Sequence, residues 1–130
     1  MKDILVPISP GELLDKITIL RIKAERITDE AKLANVRLEL ELLGQTWRAA
    51  CGGADVAADE RALQAVNERL WDIEDRIRDK EAAGSFDQEF IELARSVYLA
   101  NDERAAVKRR VNLALGSRLV EEKSYRPYRR

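Results

Sequence analysis

The chain predicts an all-α protein: an antiparallel bundle of about four helices, with a short extended N-terminal segment and a docked C-terminal tail. Three observations lead there. Apolar residues recur at alternating spacings of four and three over four long stretches, which draws a stripe down one face of a helix. Each stretch opens on a capping residue or closes on glycine. Only six glycines and three prolines punctuate 130 residues, too few for the many tight turns of a β-rich fold.

Taken in order, residues 1–8 read as an extended lead-in. Asp3 to Ile8 alternates weakly and leaves room for one short strand, whose pairing Pro7 confines to an edge. The first helix is expected over 9–28. Ser9 caps it, Pro10 suits its first position, and Glu12 stands where a capping box requires it. Its stripe is Leu13, Ile17, Leu20, Ala24 and Ile27.

The second helix, 29–51, starts at an Asp29 cap and carries Leu33, Val36, Leu40, Leu43 and Trp47 before Gly52-Gly53. The third, 55–82, carries Leu63, Val66, Leu70, Ile73 and Ile77. The fourth, 85–115, opens on a Ser85/Gln88 capping box. From Phe86 through Phe90, Leu93, Val97, Ala100, Arg104 and Val107 to Val111 its register never breaks, which favours one helix over a stop at Asn101-Asp102. Residues 116–130 form a tail with Leu119, Val120, Tyr125 and Tyr128 to dock. Short connections between amphipathic helices give antiparallel neighbours, and 1–130 reads as a single helical domain.

Composition removes several function classes. The net charge is −1, so no bulk field marks a nucleic-acid binder. Along the chain the charge is uneven. Asp55 to Glu103 holds fourteen acids and six bases, a net −8, while Arg104 to Arg130 holds two acids and nine bases, a net +7. The basic end is expected to fold over the acidic middle. The aromatic and basic residues of the tail, Tyr125 to Arg130, read as a docked or frayed terminus in preference to a single-strand binder.

Cys51 is the only cysteine, which rules out an intrachain disulfide and suits a reducing cytoplasm. No signal peptide and no apolar run of spanning length occurs, so a cytoplasmic chain with no membrane insertion is expected. There is no histidine, which removes His-based triads and His metal sites. No phosphate-cradling or dinucleotide glycine motif is present. Asp72, Asp75 and Asp79 share an outward face, where solvation explains them better than a metal, and no cofactor is expected.

On helical wheels the first two helices show apolar residues on a second side: Ile19 and Ile22 in the first, Leu38 and Leu42 in the second. Such helices need a second cover, from the chain's own ends or from another copy. A homodimer joined through Ile19, Ile22, Leu38 and Leu42 is the expected answer. Charged residues also border the stripes. Arg21 flanks the first, Arg104 falls inside the fourth, and Lys16 and Lys23 stack on one shoulder. An unpaired guanidinium there would cost several kcal/mol. Sequence favours internal ion pairs, Arg21 or Arg104 with Glu74 or Glu25, over the reception of a carboxylate or phosphate ligand.

The runs SPGELLDKITILRIK (Ser9 to Lys23), FIELARSVYLANDERAAVKR (Phe90 to Arg109) and LVEEKSY (Leu119 to Tyr125) resemble an uncharacterised bacterial family of small helical proteins of unknown function. The resemblance implies an all-α domain and no established activity, so no catalytic residue carries over. It also implies a setting beside sugar-transferase or cell-envelope polysaccharide proteins. The matching runs are rich in polar residues, including Asp15, Lys16, Lys23, Tyr98, Asn101 and Arg104. With Arg21 these form the expected ligand or partner site, between the first and fourth helices. A helical binding or assembly module is therefore expected, taking a protein partner or a small anionic ligand. The alternative is a small helical enzyme on an anionic metabolite, similar in architecture to the helical chorismate mutases.

Overall fold

A computed structural model describes residues 1–128; Arg129 and Arg130, the last two residues of the expected tail, lie outside the described residues. The order is α1 Pro10–Arg26, α2 Glu30–Cys51, α3 Ala57–Ala83 and α4 Gln88–Ala114. No helix among the described residues is long and apolar enough to cross a membrane.

Local chemistry sets most ends. Ser9 accepts from the Glu12 N–H at 3.2 Å, and Asp29 accepts from the Lys32 N–H at 2.9 Å. Gly84 closes α3 at φ 63°, a left-handed conformation that a β-carbon would strain. α4 starts later than the Ser85/Gln88 box suggests, because Asp87 is the cap and accepts from the Phe90 N–H at 3.0 Å. Val56 precedes α3 without any side-chain cap. α4 runs through Asn101-Asp102 without interruption, as the unbroken register requires. The N-terminal residues 1–9 carry no strand, and Ile4, Leu5 and Val6 stand exposed.

α1 is the central element. α2, α3 and α4 all pack on it, α3 and α4 pack on each other, and α2 comes within backbone packing distance of α1 alone. Gly11 meets Asn112 and Asp15 meets Arg104, so α1 and α4 run antiparallel. Arg110 with Asp59, Arg69 with Glu103 and Arg76 with Glu89 make a ladder of exposed ion pairs along the antiparallel α3–α4 hairpin. Such pairs steer register more than they stabilise, at about 0–1 kcal/mol each. The basic end of the chain thus meets acids on several elements: Asp59 on α3, Glu12 on α1, and the tail's own Glu121 and Glu122.

The position of α1 explains its two apolar sides. Leu13, Ile17 and Leu20 are buried on the side of the expected stripe, and Leu14 and Ile22 are buried on the other. Leu14 joins Val56, Leu63, Val107 and Val111 in a core between α1, α3 and α4, with Trp47 of α2 packed against it. Ile22 is 1% exposed, so its own chain withdraws it from any free face; Ile19 is half-buried. α2 differs. Leu33 and Val36 are buried, but Leu38 is 63% exposed and Leu42 43%.

Candidate functional site

The face of α1 turned toward α3 and α4 is partly polar. Gly11, Leu14, Asp15, Thr18 and Ile22 recur at helical spacing and all are buried. Asp15 is fully withdrawn from solvent. Its Oδ1 accepts from Arg104 Nε at 2.9 Å and from Asn67 Nδ2 at 2.9 Å, while Oδ2 accepts from Arg104 Nη2. Asn67 also donates to Thr18 Oγ1 at 3.0 Å, and the Thr18 hydroxyl donates to the Asp15 carbonyl at 2.8 Å. Three helices thus place one residue or more each around one buried carboxylate. A carboxylate in such a place is tolerated only when its lone pairs are satisfied, as here. The Asp15 hydrogen bonds raise the Arg104 pKa further above its ordinary value, more than burial lowers it.

A second polar cluster ties the start of α1 to the end of α4. Lys108, buried on α4, reaches Glu12 at 3.1 Å and Glu121 of the tail at 3.0 Å. Burial pulls its pKa down, but the two carboxylates outweigh that and leave it raised. Glu121 is held below its ordinary value by the same contact. Beside them the Asn112 Oδ1 accepts from the Gly11 N–H at 2.7 Å, one of the donors a helix start leaves unpaired. Gly11 has to be glycine there. A β-carbon would run into the Lys108 carbonyl oxygen and lie 2.8 Å from Asn112 Oδ1.

Arg104 is 28% exposed at its side chain and looks out into a cleft of about 490 Å³ between α1, α3 and α4. Ile19, Ile22 and Lys23 line it from α1, and Asn101 joins Arg104 from α4. α3 supplies Asn67, Leu70 and Trp71, then Glu74, Asp75 and Arg78 further along. Glu74 is engaged by Arg78. Lys23 and Asn101 are both half-buried, and neither side chain makes a hydrogen bond or ion pair among the described residues.

Of the residues the sequence singles out, Lys23, Asn101 and Arg104 line this cleft, and Asp15 lies buried behind Arg104. Arg21 is not among them. It is exposed and pairs with Glu60 of α3 at 3.1 Å, in a separate groove beside α2. Lys16 is exposed, 4.0 Å from Glu12. Tyr98 lies outside the cleft, its ring centroid 5.2 Å from that of Tyr128 in the tail, whose hydroxyl donates to Asp102 at 2.6 Å. The ion-pair partners also differ from those expected: Arg104 takes Asp15 and Arg21 takes Glu60, not Glu74 or Glu25.

Thr18, Asn67, Lys108 and Asn112 belong to the buried polar clusters without standing among the residues chosen from sequence. A signal did exist. Gly11, Asp15, Thr18 and Ile22 follow a 4, 3, 4 spacing of their own, a second stripe masked by its mixed polarity. Among the described residues no group of three or more side chains is gathered as a metal site.

Residues 4–128 match the family described as Family of unknown function (DUF6165). The chain belongs to that family. The match spans all four helices and the tail as far as Tyr128, so the buried polar clusters and the cleft lie inside the family's extent. No curated protein and no solved structure matches the chain significantly.

Proposed function

We propose that the chain is a helical binding module, working as a homodimer, whose site is the cleft beside Arg104. One observation carries this reading. Lys23 and Asn101, both half-buried residues that line the cleft next to Arg104, have side chains with no partner among the described residues. Their polar ends are open to solvent at the cleft, and an anionic ligand that pairs with them replaces water by charge-assisted hydrogen bonds. The Asp15–Arg104–Asn67 network supports the reading too, because it holds the cleft floor rigid before any ligand arrives. Lys23, Asn101 and the outer edge of Arg104 suit a carboxylate or phosphate group.

For the setting, the resemblance of the three runs supports a place beside sugar-transferase or cell-envelope polysaccharide proteins, and the single cysteine supports a cytoplasmic one. Binding is proposed ahead of catalysis because the Arg104 charge is already met by Asp15 within the chain.

Two-dimensional NMR of the labelled protein, titrated with inorganic phosphate and with succinate, tests the site. The Asn101 side-chain amide and the Trp71 indole N–H should shift with saturation, and Lys23→Gln should abolish the response while leaving the rest of the spectrum in place. Shifts spread evenly over the basic surface, or none at those two groups, would sink it.

A further inference from the structure

The outward face of α2 has a sequence of its own. At about 100° per residue, Ala31, Asn35, Leu38, Leu42, Gln45 and Ala49 fall opposite the stripe that meets α1. Every one of them is exposed. Their spacing is 4, 3, 4, 3, 4, the seam of a two-helix coiled coil. α1 is the only helix within backbone packing distance of α2 and Trp47 turns inward to the core, so the outward face is open along its length.

The order of side chains on this seam reads the same in both directions about Leu40. Leu38 mirrors Leu42, Asn35 mirrors Gln45, and Ala31 mirrors Ala49. We infer that α2 pairs with the α2 of a second copy, antiparallel, about a two-fold axis crossing it at Leu40. This rests on the homodimeric reading above and says which face, which register and which direction.

In that arrangement each Leu38 packs on the partner copy's residue 42, so the aliphatic layers lie next to the axis. The amides of positions 35 and 45 then face each other on either side. Each has a donor and an acceptor to offer the other. Small residues at both ends let the backbones stay close.

Charge on one flank agrees away from the axis. Glu30, Arg37, Glu41 and Arg48 alternate in sign, and all are exposed. The two-fold brings position 30 toward position 48 of the other copy and position 37 toward position 41, acid to base each time. Two meetings are adverse: Glu39 on the opposite flank and Glu41 on this one each stand one residue from Leu40 and come beside their own copies at the axis. That repulsion makes the register testable.

The protein is first sedimented at equilibrium over a range of concentrations. The inferred pairing gives a monomer–dimer equilibrium that Leu42→Asp weakens roughly a hundredfold. Helix content should stay unchanged, because Leu42 is exposed in the monomer. Glu39→Gln should tighten the dimer by about a few-fold at low salt, with less effect at high salt.

Direction is read by oxidation in a Cys51→Ser background. A mixture of Leu38→Cys and Leu42→Cys chains should form the mixed disulfide in roughly tenfold excess over either homodimer, since like positions lie about 6 Å apart along the axis. Homodisulfides in excess would overturn the antiparallel register. A dimer indifferent to Leu42→Asp and Glu39→Gln would leave the homodimeric reading standing and remove this face from it. A monomer at every concentration would remove both, without touching the ligand cleft, which the phosphate and succinate titration judges separately.

Discussion

The Asp15 carboxylate and the Arg104 guanidinium meet across the α1–α4 seam, 2.9 Å from Nε to Oδ1, with the carboxylate wholly out of solvent. Their pairing lets a charged residue stand in the middle of an otherwise apolar stripe. Removing one partner leaves the other charged and buried. Arg104→Ala should therefore lower folding stability by about 3–5 kcal/mol, read from urea unfolding. Asp15→Asn should cost less, because Arg104 at the cleft edge still reaches water and the amide can keep a bond to its neighbours. A loss under about 1 kcal/mol for Arg104→Ala would show that the carboxylate finds another partner.

Gly11 sets how close α1 and α4 come. Gly11→Ala should push the start of α1 away from the Lys108 carbonyl and stretch the bond to Asn112. Overpacking of this kind costs about 1–3 kcal/mol, and the lost acceptor adds to it. Thermal unfolding by circular dichroism reads the effect. An unchanged Tm would mean that the two helices separate freely at this end.

The tail is pinned by Lys108, and acid should release it. Glu121 has a lowered folded pKa, so its pairing contributes fully above the ordinary glutamate value of 4.5 and is lost as pH falls through the lowered one. Lys108 has a raised folded pKa, so its contribution is complete below the ordinary lysine value of 10.5 and is lost as pH rises through the raised one. Tail amides around Glu121 and Lys123 should keep their docked NMR shifts between those limits and move toward free-chain values as pH falls through the lowered Glu121 value or rises through the raised Lys108 one. Glu121→Gln should loosen the tail already at neutral pH. Tail shifts that titrate near neutrality would contradict this account.

Hydrogen exchange should separate α2 from α1. α1 is packed by three helices and α2 by one, so α2 opens at lower free energy. In dilute protein the α2 amides should exchange faster than those of α1. Their protection should rise with concentration as the outward seam is covered, while α1 stays unchanged. Equal rates in the two helices at every concentration would argue against both halves of this expectation.

Much of the architecture was legible in the residues themselves. Ser9 and Asp29 cap the helices they were expected to cap, the Leu33–Val36 stripe is the buried side of α2, and α4 runs through Asn101. The errors at the ends are local contests. Ser85 and Asp87 both offer a capping oxygen, and Asp87 takes the position. Arg104 was conspicuous because it interrupts an apolar stripe, but nothing in its own neighbourhood names Asp15, eighty-nine residues away, as the partner. The roles of Thr18 and Asn67 exist only where helices distant in sequence meet, so neither is legible from its own neighbourhood. Arg21 and Lys16 stand with the site on the helical wheel and Tyr98 through the polar residues of the matching runs, and the packing turns each of them elsewhere.

The sequence by itself determined that there are four helices, which face of each is oily, and that α1 and α2 have one face too many for a simple hairpin. Those properties repeat with the helical turn and are written within a few residues of one another. Only the tertiary structure decided that the α3–α4 hairpin covers the surplus face of α1 and leaves that of α2 open, and that Lys23, Asn101 and Arg104 line one cleft with Asp15 buried behind Arg104. Such choices depend on crossing angle and axial register between distant segments, which no local pattern carries.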